Sequence, residues 1–239
     1  MSGHSKWSTI KHKKAKEDSK RGRIFTKLIR EITVASREGG GDPVGNARLR
    51  VVIDKAKSVN MPQDNIIRAI KKGTGELEGF TYHPATYEGF GPSGVAIIVE
   101  TLSDNVKRTV SDLRHVFSKM GGNLAESGAV SWMFEHKGVV RVSANGLTED
   151  EVLEKMIDYD IDDVFISDNI FSIISNIQSL HGIKKGAEEN GLKVEDVSIE
   201  WVPKNVMSVE DKGKEEKIYK FLESLEELDD VQNVYANLV

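Results

Sequence analysis

Cysteine is absent from all 239 residues, which removes disulfides, thiol nucleophiles and thiolate metal sites and suits a reducing compartment. Long apolar runs are missing too. No uncharged stretch approaches the roughly 20 residues that a membrane helix needs. Met1-Ser2-Gly3-His4 leads into lysines rather than the apolar segment of a secretory signal. These absences predict a cytoplasmic protein without a membrane partner. The signatures of catalysis are lacking as well: there is no P-loop, no GxSxG elbow and no carboxylate pair set in an apolar stretch. The six histidines (His4, His12, His83, His115, His136, His181) form no HxH, HExxH or helical i, i+4 pair that would gather metal ligands. The expectation is a protein that is not an enzyme and carries no cofactor or metal.

One motif needs its context. Gly89-Phe90-Gly91-Pro92-Ser93-Gly94 matches GxGxxG, and Val95-Ala96-Ile97 echoes the start of a kinase VAIK strand. A dinucleotide fingerprint must open a helix whose N-terminus meets the pyrophosphate, whereas this one opens the β-forming run Val95 to Val99. A kinase would need lysine where Ile98 stands, and HRD and DFG are absent. The segment reads as a hairpin turn. The acidic clusters Asp158 to Asp163 and Glu223 to Asp230 read as solvated faces or helix-end loops.

What the sequence does have is charge, sorted along its length. Residues 1–72 hold 18 Lys and Arg against 7 Asp and Glu, a net of +11, while the rest holds 15 against 31, a net of −16. A basic end can engage phosphate by counterion release while an acidic body orients the encounter. The candidate contacts are Lys6, Lys11, Lys13, Lys14, Lys16, Lys20, Arg21, Arg23, Lys27 and Arg30, with Trp7 able to stack on a base or sugar. The alternative is a solubilising tail with Trp7 tucked into the helices. Arg48, Arg50, Lys55, Lys57, Arg68, Lys71 and Lys72 extend the basic surface. Lys107, Arg108, Arg114, His115 and Lys119 form a second patch that reads as an ordinary solvent face. No helix groups Arg, Asn and Gln at its N-terminal end as major-groove reading would require.

Apolar spacing at three and four residues predicts a helix from Ile24 until Gly39-Gly40-Gly41. A second starts after Asp42-Pro43, with Leu49, Val52, Ile53 and Ala56 inward. A third, after Asn60-Met61-Pro62, turns Ile66, Ile67 and Ile70 inward and ends at Gly73. Strands follow at Tyr82 to Glu88 and Val95 to Leu102, then a helix capped by Ser103-Asp104 with Val106, Val110, Leu113, Phe117 and Met120 as its stripe. Ala129 to Phe134 and Val139 to Ser143 read as two strands around His136-Lys137-Gly138. Beyond them, the order βαββαβ ending at Val197 to Val202 is the split ferredoxin-like unit. A last helix, from about Val209 to Leu225, and a strand, Val231 to Tyr235, could complete the sheet begun at Tyr82. The fold class is therefore α+β: an N-terminal three-helix bundle and two small α+β domains, at least one ferredoxin-like. The boundaries are 1–77, 78–135 plus 205–239, and an inserted 136–204.

Gly3-His4-Ser5-Lys6-Trp7, Lys20-Arg21-Gly22 leading into Phe25-Thr26-Lys27-Leu28-Ile29-Arg30-Glu31, and Gly39-Gly40-Gly41-Asp42-Pro43 resemble the YebC/PmpR family. So do Tyr87-Glu88-Gly89-Phe90-Gly91-Pro92, Leu102-Ser103-Asp104-Asn105, Gly121-Gly122-Asn123-Leu124 and Asp229-Asp230-Val231-Gln232-Asn233-Val234-Tyr235. The resemblance spans nearly the whole chain. It implies three domains, the first helical and the others α+β. It also implies two competing roles: cytoplasmic DNA-binding transcriptional regulation, as in bacterial relatives, or translational activation with ribosomal RNA or tRNA as partner. The second is the role of the mitochondrial relative that activates cytochrome c oxidase translation, and some bacterial relatives are linked to ribosomes stalled on proline runs. Protein partners would meet the acidic domains. The resemblance supplies no catalytic or base-reading residues, so the candidate site rests on charge and placement. Met156 to Ile161 and Asn176 to Ile183 depart from the family pattern, which makes partner identity its least transferable implication.

Overall fold

The computed structural model describes residues 21–239. Three helices come first: α1 (Arg21–Gly39), α2 (Ala47–Ser58) and α3 (Gln63–Thr74). Leu28, Ile32 and Ala35 of α1 meet Leu49, Val52, Ile53 and Ala56 of α2 and Ile66 and Ala69 of α3 in one core. The start of α2 differs from the expectation. Asp42 accepts from the Val44 N–H and shapes a turn, and Asn46 caps the helix by accepting from the Leu49 N–H at 3.0 Å. The Asn46 amide also donates to the Ala35 and Gly40 carbonyls at 2.8 Å each, satisfying orphan acceptors at the end of α1. Ile67 is 42% exposed rather than inward. Gly73 lies inside α3 and does not end it; the left-handed residue is Gly75 (φ 84°). A Cβ on Gly73 would run into the Thr33 carbonyl of α1, so glycine there lets two helix backbones touch.

The first sheet has the order β3-β1-β2-β8, where β1 is His83–Phe90, β2 Ala96–Ser103, β3 Asn123–Leu124 and β8 Val231–Ala236. The GxGxxG segment turns β1 antiparallel into β2, with Ser93 and Gly94 at φ 63° and 80°. Helices α4 (Val106–Lys119) and α7 (Lys212–Glu226) cover one face. There Val95, Ile97, Val99, Leu113, Phe117, Phe221 and Leu225 form the core, with the rings of Phe117 and Phe221 edge to face at 5.0 Å. Burying a side chain of that size contributes roughly 1.5–3 kcal/mol. Asn105 caps α4, not Ser103 or Asp104, and Val106 is 46% exposed while Thr109 takes its place inside. On the opposite face Ala96, Ile98 and Tyr235 pack on Val130 and Phe134, which explains why β2 is apolar at successive residues rather than at alternate ones.

The second sheet, β5-β6-β4-β7, comprises β4 (Phe134–Ser143), β5 (Ile161–Ser167), β6 (Ile170–Ser175) and β7 (Val194–Pro203). With α5 (Glu149–Lys155) and α6 (Leu180–Glu189), the order β4-α5-β5-β6-α6-β7 and its antiparallel neighbours give the ferredoxin-like pattern. A capping box joins Thr148 and Glu151 at the start of α5. Ala129 to Phe134 is not a separate strand. It is a loop with a short 3-10 turn at Ser131–Met133, and β4 runs unbroken through His136-Lys137-Gly138. Among the described residues no helix is long and apolar enough to cross a membrane.

Candidate nucleic-acid interface

Lys6, Trp7, Lys11, Lys13, Lys14, Lys16 and Lys20 lie outside the described residues, as does the side chain of Arg21, the first residue of α1. The other three candidates, Arg23, Lys27 and Arg30, are spaced four and three residues apart and so share one face of α1. The structure brings them together, but against the acidic remainder of the chain. Arg23 pairs with Glu227 at 3.1 Å, with both side chains about half exposed. Lys27 donates Nζ to the Glu226 carbonyl at 3.1 Å. That carbonyl sits at the C-terminus of α7, where helices lack intrahelical donors and carry partial negative charge. Arg30 reaches deepest. Its guanidinium donates to Asp230 Oδ1 at 2.9 Å and to the carbonyls of Leu102 and Asp229, and lies 5.4 Å from the Tyr82 ring centre. At 12% exposure, Arg30 is placed in the seam between the helices and the first sheet rather than on an open surface.

Asp230 is the centre of that seam. Its side chain, 4% exposed, accepts from Ser103 Oγ at 3.0 Å, Thr109 Oγ1 at 2.7 Å and Arg108 Nη2 at 2.8 Å in addition to Arg30. Burial alone would raise its pKa, but the donations from Arg108, Thr109 and Ser103 outweigh it and hold the carboxyl below the usual range. Arg108 in turn is held more firmly protonated by its bonds to Asp230 and Asp104. It is the one member of the α4 patch committed to this network, whereas Lys107, Arg114, His115 and Lys119 are exposed and have no ion-pair partner among the described residues.

The remaining cations of the helices divide in the same way. Arg48 pairs with Glu38, and Arg50 folds onto the Pro43 and Val44 carbonyls at 3.0 Å. Lys55 stays in touch with solvent yet is surrounded by protein. Burial would depress its pKa, but the fields of Asp196, Glu31 and Glu200 prevail and raise it. Lys57, Arg68 and Lys71 are exposed and carry no ion pair among the described residues, and Lys72 is half-buried and likewise unpaired. On α2 and α3, Lys57, Arg68 and Lys71 are therefore exposed cations without an ion pair among the described residues, as Lys107, Arg114 and Lys119 are on α4.

Three arrangements escaped the sequence reading. Arg141 is 1% exposed on β4, where its Nη1 reaches Asp196 at 3.3 Å, Ser198 at 3.2 Å and Glu200 at 2.7 Å across the β4–β7 pairing. Glu100 of β2 accepts from Trp201, Asn233 and Tyr235 at 3.0–3.2 Å and ties the two sheets together. Glu88 of β1 accepts from the backbone N–H groups of Gly128, Val130 and Ser131 at 2.7–2.8 Å, fixing the loop that leaves Trp132 66% exposed. Burial would raise the Glu88 pKa, and those backbone bonds lower it. Each carboxylate is thus occupied in holding the fold. Among the described residues no group of three His, Asp or Glu side chains is placed to hold a metal ion.

Comparison with known proteins follows this geometry along the whole chain. A family model described as "TACO1/YebC protein N-terminal domain" matches residues 5–76, and one described as "TACO1/YebC second and third domain" matches residues 82–238. The chain is 53% identical over 237 residues to "Probable transcriptional regulatory protein DP2908" of Desulfotalea psychrophila, covering 99% of this chain and 95% of that one. It is 49% identical over 239 residues to "Probable transcriptional regulatory protein CT1665" of Chlorobaculum tepidum, covering 100% and 95%. The crystal structure of the conserved hypothetical protein Aq1575 from Aquifex aeolicus is similar at a TM-score of 0.86 and 47% identity, over 94% of this chain and 93% of that one.

Proposed function

Because the chain belongs to the TACO1/YebC family, and its bacterial relatives are named probable transcriptional regulators, we propose that it is a non-enzymatic cytoplasmic regulator of transcription that binds DNA. The observation that carries this reading is the surface of the helical unit. Lys57, Arg68 and Lys71 stand exposed and without ion pairs among the described residues, within the first 72 residues, whose net charge is +11. Such cations release condensed counterions when they meet phosphate, which gives affinity without base reading. Lys6, Lys11, Lys13, Lys14, Lys16 and Lys20 add to the same net charge. The acidic remainder, net −16, is repelled by the duplex and is left to meet protein partners.

The test is a binding titration at several salt concentrations with Lys11→Ala, Lys13→Ala, Lys14→Ala and Lys16→Ala combined. Each phosphate contact contributes about 0.9 to the slope of log affinity against log salt on duplex DNA, so four lost contacts reduce that slope by roughly 3–4. An unchanged slope removes these four lysines from the interface. Crosslinking in growing cells with sequencing of attached nucleic acid identifies the target. Promoter DNA is the expected result, and enrichment of ribosomal RNA or tRNA instead would replace transcription by translation as the process regulated.

A further inference from the structure

We propose that the turn from Glu226 to Asp230 is an intramolecular phosphate mimic, and that nucleic acid competes with it for the Arg23, Lys27 and Arg30 face of α1. The inference rests on the nucleic-acid reading above and adds its regulation. Three cations at one helix face are what a phosphate backbone would meet. The segment opposite them presents a carboxylate at Glu227, a helix-terminal carbonyl at Glu226 and a second carboxylate at Asp230. Oxygen acceptors carrying negative charge stand in the places of phosphate oxygens.

The contact is graded along its length. Arg23 and Glu227 are 48% and 60% exposed, whereas Arg30 and Asp230 are 12% and 4% exposed. An exposed pair is worth about 0.2–1 kcal/mol and is screened by salt. A phosphate can therefore displace Glu227 first, at the exposed end of the contact, and work inward towards Asp230. Losing Arg30 does not leave Asp230 as an uncompensated buried charge, because Arg108, Ser103 and Thr109 continue to donate to it. The first sheet therefore keeps its own charge balance when the helical unit lets go.

Since the protein has no cysteine, Val44→Cys on the helical unit and Ser118→Cys on α4 can carry a clean spin-label pair. Their separation is measured by double electron–electron resonance with and without a short mixed-sequence DNA duplex. The affinity of Glu227→Ala for the same duplex is measured in parallel. The expected result is a longer or broader separation on binding and an affinity for Glu227→Ala raised by up to about fivefold, the equivalent of one exposed pair. Binding by Glu227→Ala alone would also support the competition. DNA binding with an unchanged separation and unchanged Glu227→Ala affinity overturns the competition and leaves the nucleic-acid reading standing. Failure of both proteins to bind any duplex or single strand overturns that reading, and the competition with it.

Discussion

Replacing Glu88 by alanine tests whether this acidic residue at a glycine-rich turn is structural, as the geometry argues. Its carboxylate, 6% exposed, accepts three backbone N–H bonds at 2.7–2.8 Å, from Gly128, Val130 and Ser131. Val130 is fully buried, so its N–H loses its acceptor with no water to replace it, at about 1–3 kcal/mol. Gly128 and Ser131 are nearer the surface and recover part of their hydration, adding about 1 kcal/mol between them. The total is about 3 kcal/mol, or roughly 6–12 °C in melting temperature for a chain of this size. Glu88→Gln keeps one acceptor oxygen but turns an amide donor towards the same N–H groups, so it recovers only part of the loss. Thermal and urea unfolding, followed by far-ultraviolet circular dichroism and by the combined fluorescence of Trp7, Trp132 and Trp201, would rank the three proteins. A loss below about 0.5 kcal/mol for Glu88→Ala, the range of an ordinary surface substitution, would refute the clamp.

Gly73→Ala gains the helix propensity of alanine but drives a methyl into the Thr33 carbonyl and the Ser36 side chain of α1, and is expected to destabilise the protein by about 1–2 kcal/mol net; a stabilised protein by urea denaturation would show that α1 and α3 are not in backbone contact. The seam at Asp230 also has a defined pH dependence. The folded pKa is depressed, so its contribution is complete above the ordinary aspartate value near 3.8 and is lost as pH falls through the lower folded value. Urea unfolding should therefore show a stability that is held down to about pH 4 and falls below it, and a loss that began near pH 6 would contradict the assignment.

How much of this was legible in the sequence follows from the range of each signal. The α2 stripe Leu49, Val52, Ile53 and Ala56 is inward as its period dictates, because periodicity and burial are both local to one helix. The ferredoxin-like order was legible for the same reason, each element announcing itself by pattern and turn. The errors occur where a residue type has two uses. Asp42 and Asn46 offer the same capping chemistry four residues apart, and the carbonyls of Ala35 and Gly40 decide between them. Gly73 could end a helix or let another helix approach, and only Thr33 distinguishes the two. The loop at Ala129 to Phe134 has the apolar content of a strand, yet the carboxylate that shapes it sits some 40 residues earlier at Glu88.

The candidate site divides along the same line. That the first 72 residues are basic is a sum over composition, and no structure is needed to obtain it. Which cations face outward is a matter of tertiary pairing, and Arg30 finds its carboxylate 200 residues away. A polarised chain that folds back on itself will spend part of its positive face on its own negative one, because Coulomb attraction does not distinguish a carboxylate from a phosphate. The net charge of a segment is therefore an upper bound on what it can offer a ligand. Here Arg23, Lys27 and Arg30 are already engaged, while Lys57, Arg68 and Lys71 are not engaged by any described residue. The division makes a ranking that composition cannot. On the proposed DNA-binding reading, neutralising Lys57, Arg68 or Lys71 should weaken binding of a duplex in a titration, whereas neutralising Arg23 removes a phosphate contact and its intramolecular competition together, so the two effects should oppose each other.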